Sequence, residues 1–249
     1  MYYRTNSEAS CDLKRSRDSL RSARTGALTL KNDEVTLEVC SRNDVRYVTF
    51  RDRHYIPNRG CHGQQIHFLV HYKDMHVGII SGASSVYAVG SRDKFFGIPQ
   101  DKTMKQKRYL PAIINNVVFR LEYHEKNLGT KILSKFRRVS VNLWKKLYGV
   151  DVIGFETFVI ENEKRKGSMY KADNWTYLGE TKGSTKSHKG LLNKSERKST
   201  EIKMIFAIKT KKRLPTVDYV SSWRASTEEE KQRAKTIAAY RKELLGQKF

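Results

Sequence analysis

Cysteine is scarce in this chain. The three present, Cys11, Cys40 and Cys61, are odd in number and form no CxxC pair. A disulfide framework is therefore excluded as the scaffold, and a reducing, cytoplasmic setting is expected. Long apolar runs are missing too. No stretch approaches the ~20 apolar residues that span a bilayer, and no apolar leader opens the sequence. Carboxylates are the third shortage: 26 Asp and Glu stand against 49 Lys and Arg, a formal net charge of +23. Such an excess points to a polyanionic partner, and without a membrane segment that partner is expected to be nucleic acid, DNA first. Hydrophobic residues make up 38% of the 249, enough for one core but with solvated ends. No internal repeat is visible.

What is present reads as an alternation of strands and helices. Residues 1–30 are polar and basic, as expected of a flexible arm. Val35, Leu37 and Val39 alternate as a half-buried strand. Ser41 to Asp44 supply helix-capping side chains before Val45–Arg53, a segment whose β-branched and aromatic content would also suit a strand. Gln65–Tyr72 and Met75–Ser81 predict a hairpin turning at Lys73-Asp74. A helical turn at Arg92–Phe96 and a basic connector at Lys102–Arg108 follow.

The centre of the chain is Ile113–Gly183: an apolar strand, the turn Lys126-Asn127-Leu128-Gly129-Thr130-Lys131, an amphipathic helix to Tyr148, and the strand Asp151–Val159. Next come a short helix at Gly167–Trp175 and a strand at Tyr177–Gly179. A loop at a helix N-terminus between two strands suits an anionic ligand, because unpaired amides and the helix dipole both favour negative charge there. Lys182 to Ser199 reads as an exposed basic loop, Ile202–Ile208 as a last strand, and Thr227 as the cap of a C-terminal helix. The expected organisation is a basic arm at 1–30, an α/β domain with a mixed twisted sheet flanked by helices at 31–213, and a helical extension at 214–249.

In that order the chain resembles the acetyltransferase-like (GNAT) fold, and within it the family that includes phage Mom DNA-modification proteins and the Druantia DruA proteins of anti-phage defence. The residues that carry the resemblance are His54-Tyr55, Asn115–Arg120, Asn127-Leu128-Gly129 with Ile132-Leu133, Glu156–Val159, Gly167–Trp175 and Gly179–Gly183. It covers roughly residues 45 to 210. The acetyltransferase cofactor signature, [Gln/Arg]-x-x-Gly-x-[Gly/Ala], falls on Lys126–Lys131 and departs from the pattern at both outer positions.

The Mom branch of the resemblance implies modification of the exocyclic amine of adenine in DNA. Acyl-CoA or another acyl donor would be held by Lys126, Asn127, Leu128, Gly129, Thr130 and Lys131. An adenine amine is a poor nucleophile, so the base must be unstacked, oriented and relieved of a proton. Glu156 is the expected base or orienting group, and Tyr170 the phenol that protonates the leaving group. His54, Tyr55 and Asn116 are expected to face the same cleft. Trp175 is expected to stack on a base, and Lys182, Lys186, Lys189, Lys194 and Lys198 to track the backbone.

Plainer readings stand beside these. Glu156 would pair with Arg120 on the neighbouring strand, and Tyr170 and Trp175 would be core. His54, His62, His67, His71 and His76 lie near Cys61, yet no metal-ligand spacing is met. Two functions remain open: a transferase acting on a DNA base, and a non-catalytic nucleic-acid-binding component of a defence system.

Overall fold

A computed structural model describes residues 34–56, 63–163, 165–181, 201–215 and 227–245. The basic arm and the lysines from Lys182 to Lys198 lie outside the described residues. The elements are β1 (Val35–Val39), α1 (Val45–Asp52), β2 (Gln65–Tyr72), β3 (Met75–Ser84), α2 (Gly90–Phe96), β4 (Ile113–Leu121), α3 (Leu128–Tyr148), β5 (Gly154–Ile160), α4 (Ser168–Ala172), β6 (Thr176–Glu180), β7 (Lys203–Lys209) and α5 (Glu228–Leu245). The seven strands form one mixed sheet in the order β1-β2-β3-β4-β5-β7-β6, with β4 and β5 parallel and the other pairs antiparallel. Helices flank it, as the sequence predicts.

The ambiguous segment after Asp44 is helical. The Asp44 carboxylate accepts from the Arg46 amide at 2.9 Å, and that cap settles a segment whose propensity alone is balanced. One face of the sheet carries α3, whose buried Ile132, Leu133, Phe136, Trp144 and Leu147 pack on Phe68, Ile114 and Phe155. On the outer side of α3 lies α5, where Ala234 is buried, Tyr240 and Leu244 join the core, and Arg241 sits over the Tyr148 ring. The opposite face carries α1, where Tyr47 packs with Leu69, Ile79 and Val118.

Two irregularities in β4 create the site. Opposite Ser81 and Gly82 the register skips a residue: Ser81 faces Val118 and Gly82 faces Asn116, so Val117 is an extra residue in the strand. A bulge of this kind flips the faces beyond it. Asn116 and Phe119 therefore both lie on the α3 side, whereas Val118 joins the α1 side. Secondly, β4 and β5 pair only from Ile113/Gly154 to Asn116/Thr157. Beyond that point both strands continue without each other, and the sheet opens.

Candidate active-site cleft

A cleft of about 490 Å³ fills the opening on the α3 side. Its walls are Phe119 and Leu121 from β4, Tyr123 to Glu125 from the following turn, Asn127 to Thr130 at the start of α3, and Ser168, Met169 and Ala172 of α4. Asn127 enters α3 in the left-handed conformation, φ +64°, with no side-chain cap. The Leu128 amide bonds to the Glu125 carbonyl and that of Lys131 to the Asn127 carbonyl. Gly129 and Thr130, between them, have no backbone acceptor among the described hydrogen bonds, and both line the cleft. A Cβ on Gly129 would lie 2.5 Å from the Met169 sulfur, so α3 and α4 meet closely here. Lys126 and Lys131 are exposed outside the lining, and Lys131 is 3.6 Å from Glu34. Glu125 is held as a carboxylate below its ordinary pKa, chiefly by the Tyr72 hydroxyl at 2.6 Å.

Tyr170 lies behind this wall at the fork of the two strands. Gly167 (φ +68°) turns the chain into α4 at a point where any Cβ would collide with the Phe206 ring. The Tyr170 ring is stacked on Phe206, and its hydroxyl donates to Asn116 Oδ1 at 3.0 Å. The Asn116 amide donates to the carbonyls of Ser81 and Val118, bracing the bulge. Thr157 Oγ1 donates to the Asn116 carbonyl at 3.0 Å and stands 3.5 Å from the phenol. Burial pushes the Tyr170 phenol well above its ordinary value; the Thr157 hydroxyl opposes that shift and nearby Tyr55 adds to it. At neutral pH it is a proton donor.

His54 and Tyr55 approach from the other side of the opening, at the end of α1. The guanidinium of Arg165 sits 3.8 Å from the Tyr55 ring centre. The His54 and Tyr55 rings are in tilted contact, centroids 4.6 Å apart, and His54 Nδ1 is 3.1 Å from the Ile56 carbonyl. Burial lowers the His54 pKa below its ordinary 6.5, and the positive charges of Arg120 and Arg165 act in the same direction. The imidazole is neutral at pH 7. Nδ1 also lies 3.3 Å from the Ile56 amide, which would donate to it; assigning the ring proton to Nδ1 for the shorter carbonyl contact leaves the lone pair on Nε2.

Three expectations are corrected here. Glu156 and Tyr170 are not brought together: Thr157 points to Tyr170, so its neighbour Glu156 points to the opposite face of the sheet. There Glu156 is fully buried and accepts from Arg92 of α2 at 2.7 Å, inside a network with Asp93 and Lys105. Its partner is Arg92 and not Arg120, because Arg120 lies beyond the point where β4 and β5 separate, bonded to Glu122 and the Arg53 carbonyl. Burial raises the Glu156 pKa, which the Arg92 charge and donors on Ser85 and Val86 partly reverse. Trp175, expected to stack on a base, is 4% exposed; it donates to Asp173 and packs on Phe155 and Tyr170. Asp173 is itself clamped by Arg137 of α3 at 2.8–2.9 Å.

The sequence reading missed Arg92, Arg165 and the lining residues Tyr123 and Met169 as site components. Only Arg165, in the basic turn before Gly167, carried a local signal. Among the described residues no group of three or more His, Cys, Asp or Glu is placed to hold a metal ion.

The strand order and the single parallel pair are those of an acetyltransferase-like fold. The chain belongs to the Druantia protein DruA family, whose pattern matches residues 13–221. No curated protein matches the sequence. Among solved structures it is similar to a ribosomal-protein-S5-alanine acetyltransferase from Vibrio fischeri, at 11% identity over 74% of this chain and 97% of that one, TM-score 0.44. It is also similar to the microcin C7 self-immunity acetyltransferase MccE in complex with acetyl-CoA and AMP, at 11% identity over 72% and 94%, TM-score 0.42. A third is the Campylobacter jejuni N-acetyltransferase PseH with acetyl coenzyme A, at 10% identity over 59% and 68%, TM-score 0.35.

Proposed function

We propose that the chain is a nucleic-acid-directed group transferase that modifies the exocyclic amine of a DNA base, adenine first. The observation that supports this reading is the separation of β4 and β5 beyond Asn116/Thr157, with the cleft on one side and His54, Tyr55 and Arg165 on the other. One mouth has free amides at a helix N-terminus and apolar walls. The other has a neutral histidine among cationic side chains, and a protonated phenol lies between them.

The residues of the first mouth fit an acyl-CoA-type donor. The volume is in the range of small-molecule sites. Gly129 and Thr130 amides at the positive end of α3 suit a phosphate, and Phe119, Leu121, Leu128 and Met169 suit an apolar arm. When bound, such a donor supplies an activated acyl group and a thiolate leaving group. The chain's own residues do the rest. Arg165 and Tyr55 orient an acceptor base at the second mouth, since a cationic and aromatic surface suits a nucleobase. His54 Nε2 takes the proton from the amine. Tyr170, its phenol positioned by Asn116 Oδ1 and Thr157, is the group that gives its proton to the leaving thiolate.

One observation favours the second reading, a nucleic-acid-binding component without catalysis: the Glu125 carboxylate at the rim of the first mouth opposes a polyanionic donor. Calorimetric titration of the full chain with acetyl-CoA decides between them. The transferase reading expects saturable binding, weakened about tenfold or more by Gly129→Leu, which places a side chain against Met169. Absence of binding to acetyl-CoA and to longer acyl-CoAs would leave the binding component as the surviving reading.

A further inference from the structure

The end of the sheet opposite the cleft is strongly basic. The register places Ile113 of β4 beside Gly154 of β5 and Gly154 beside Lys209 of β7, so three strand ends share one edge of the molecule. Three segments converge on that edge. Exposed Lys94 comes from α2, exposed Lys107 and Arg108 precede β4, and exposed Lys209, Lys211 and Lys212 leave β7. The segments touch one another: Lys209 Nζ lies 4.8 Å from the Phe95 ring centre, and the Ile153 amide bonds to the Ala112 carbonyl. The carboxylates in and beside these segments are already engaged. Asp93 is buried with Arg92 and Lys105, Asp101 caps the Met104 amide at 2.6 Å, and Asp151 pairs with Lys145 at 3.1 Å. None of the six cations has an ion-pair partner among the described residues.

We propose that this edge is a seat for the phosphate backbone of duplex DNA, separate from the cleft. The inference rests on the nucleic-acid reading above and adds the surface that holds the duplex. The six cations come from α2, the helical connection before β4, and the end of β7 with the two lysines just after it, and neighbouring strands are only ~4.8 Å apart, so their charges act on one stretch of backbone. At ~3.3 Å per residue, β5 puts the far mouth of the cleft ~20 Å from this edge, about the width of a duplex. DNA seated here is anchored while the chemistry takes place at another point on it.

The test is fluorescence-anisotropy binding of a 20-base-pair duplex by the full chain across a salt series. Each phosphate neutralised contributes about −0.9 to the slope of log affinity against log salt, so the triple variant K209Q/K211Q/K212Q should flatten the slope by about 2–3. The matched triple K73Q/R138Q/K235Q, which removes exposed charges elsewhere, should leave it within about one unit. Equal flattening by both triples would mean diffuse attraction and overturn the seat. So would an unchanged slope in the first triple, or loss of binding to phosphatidylserine vesicles with duplex binding intact. Base modification, read separately as nucleoside composition, tests the cleft. Patch-dependent binding without modification sinks the transferase reading alone, and modification with patch-independent binding sinks the seat alone.

Discussion

At the residue scale, Glu156 shows how a charge in an apolar strand divides between chemistry and structure. Its carboxylate is fully buried and meets an equally buried Arg92, with Asp93 and Lys105 completing two positive and two negative charges. A buried pair is costly to break because one charge is left uncompensated, at about 3–5 kcal/mol. Glu156→Ala should therefore lower the unfolding free energy by about that much in urea, with no change in turnover per folded molecule. A variant of full stability and collapsed turnover would return Glu156 to the chemistry. His67 gives the pH counterpart. It is 2% exposed, its Nδ1 stands 3.0 Å from Ser81 Oγ and 3.1 Å from the Tyr47 hydroxyl, and burial lowers its pKa to about 4. Between pH 6.5 and about 4 the unfolded chain binds the proton and the folded one does not. Stability present above pH 6.5 is thus lost as the pH falls, by about 3 kcal/mol from this group. Denaturant titrations should show that loss in the wild type and its disappearance in His67→Gln.

At the element scale, much was legible in the sequence and the exceptions share a cause. The alternation of Val35, Leu37 and Val39, the hairpin around Lys73-Asp74 and the amphipathic run ending at Tyr148 are local signals, and all three elements formed. α3 begins at Leu128, the turn residue, because Asn127 adopts a left-handed conformation that starts the helix directly. The extra residue at Val117 was not readable: no Gly or Pro marks it, and it appears only in the pairing with β3. Nor was the face of Glu156, which follows from the β4/β5 register and from α2 packing across it. That packing can be tested. A Cβ on Gly154 would meet the Phe96 ring and the Ile208 carbonyl. Gly154→Ala should push α2 off β5 and cost about 1–3 kcal/mol in thermal or chemical unfolding. An unchanged stability would show that α2 is not held there.

At the scale of the whole molecule, the excess of basic residues and the opening in the sheet are complementary. The bulge and the short parallel pairing open the sheet, and Tyr170, Asn116 and Thr157 are hydrogen-bonded to one another at the fork. Asn116 and Tyr170 could be picked out from the sequence because they sit in the motifs that resemble a known family. Their direct bond could not, since 54 residues separate them. No helix among the described residues is long and apolar enough to cross a membrane. The central claim is that this opening transfers a group onto DNA. Mass spectrometry of nucleosides from the DNA of cells expressing the chain tests it most directly. The account predicts a deoxyadenosine derivative heavier than the parent, reduced about tenfold or more by Tyr170→Phe, which keeps the ring on Phe206 and removes the hydroxyl. DNA with only the ordinary nucleosides, in cells where the folded chain is abundant, would contradict it.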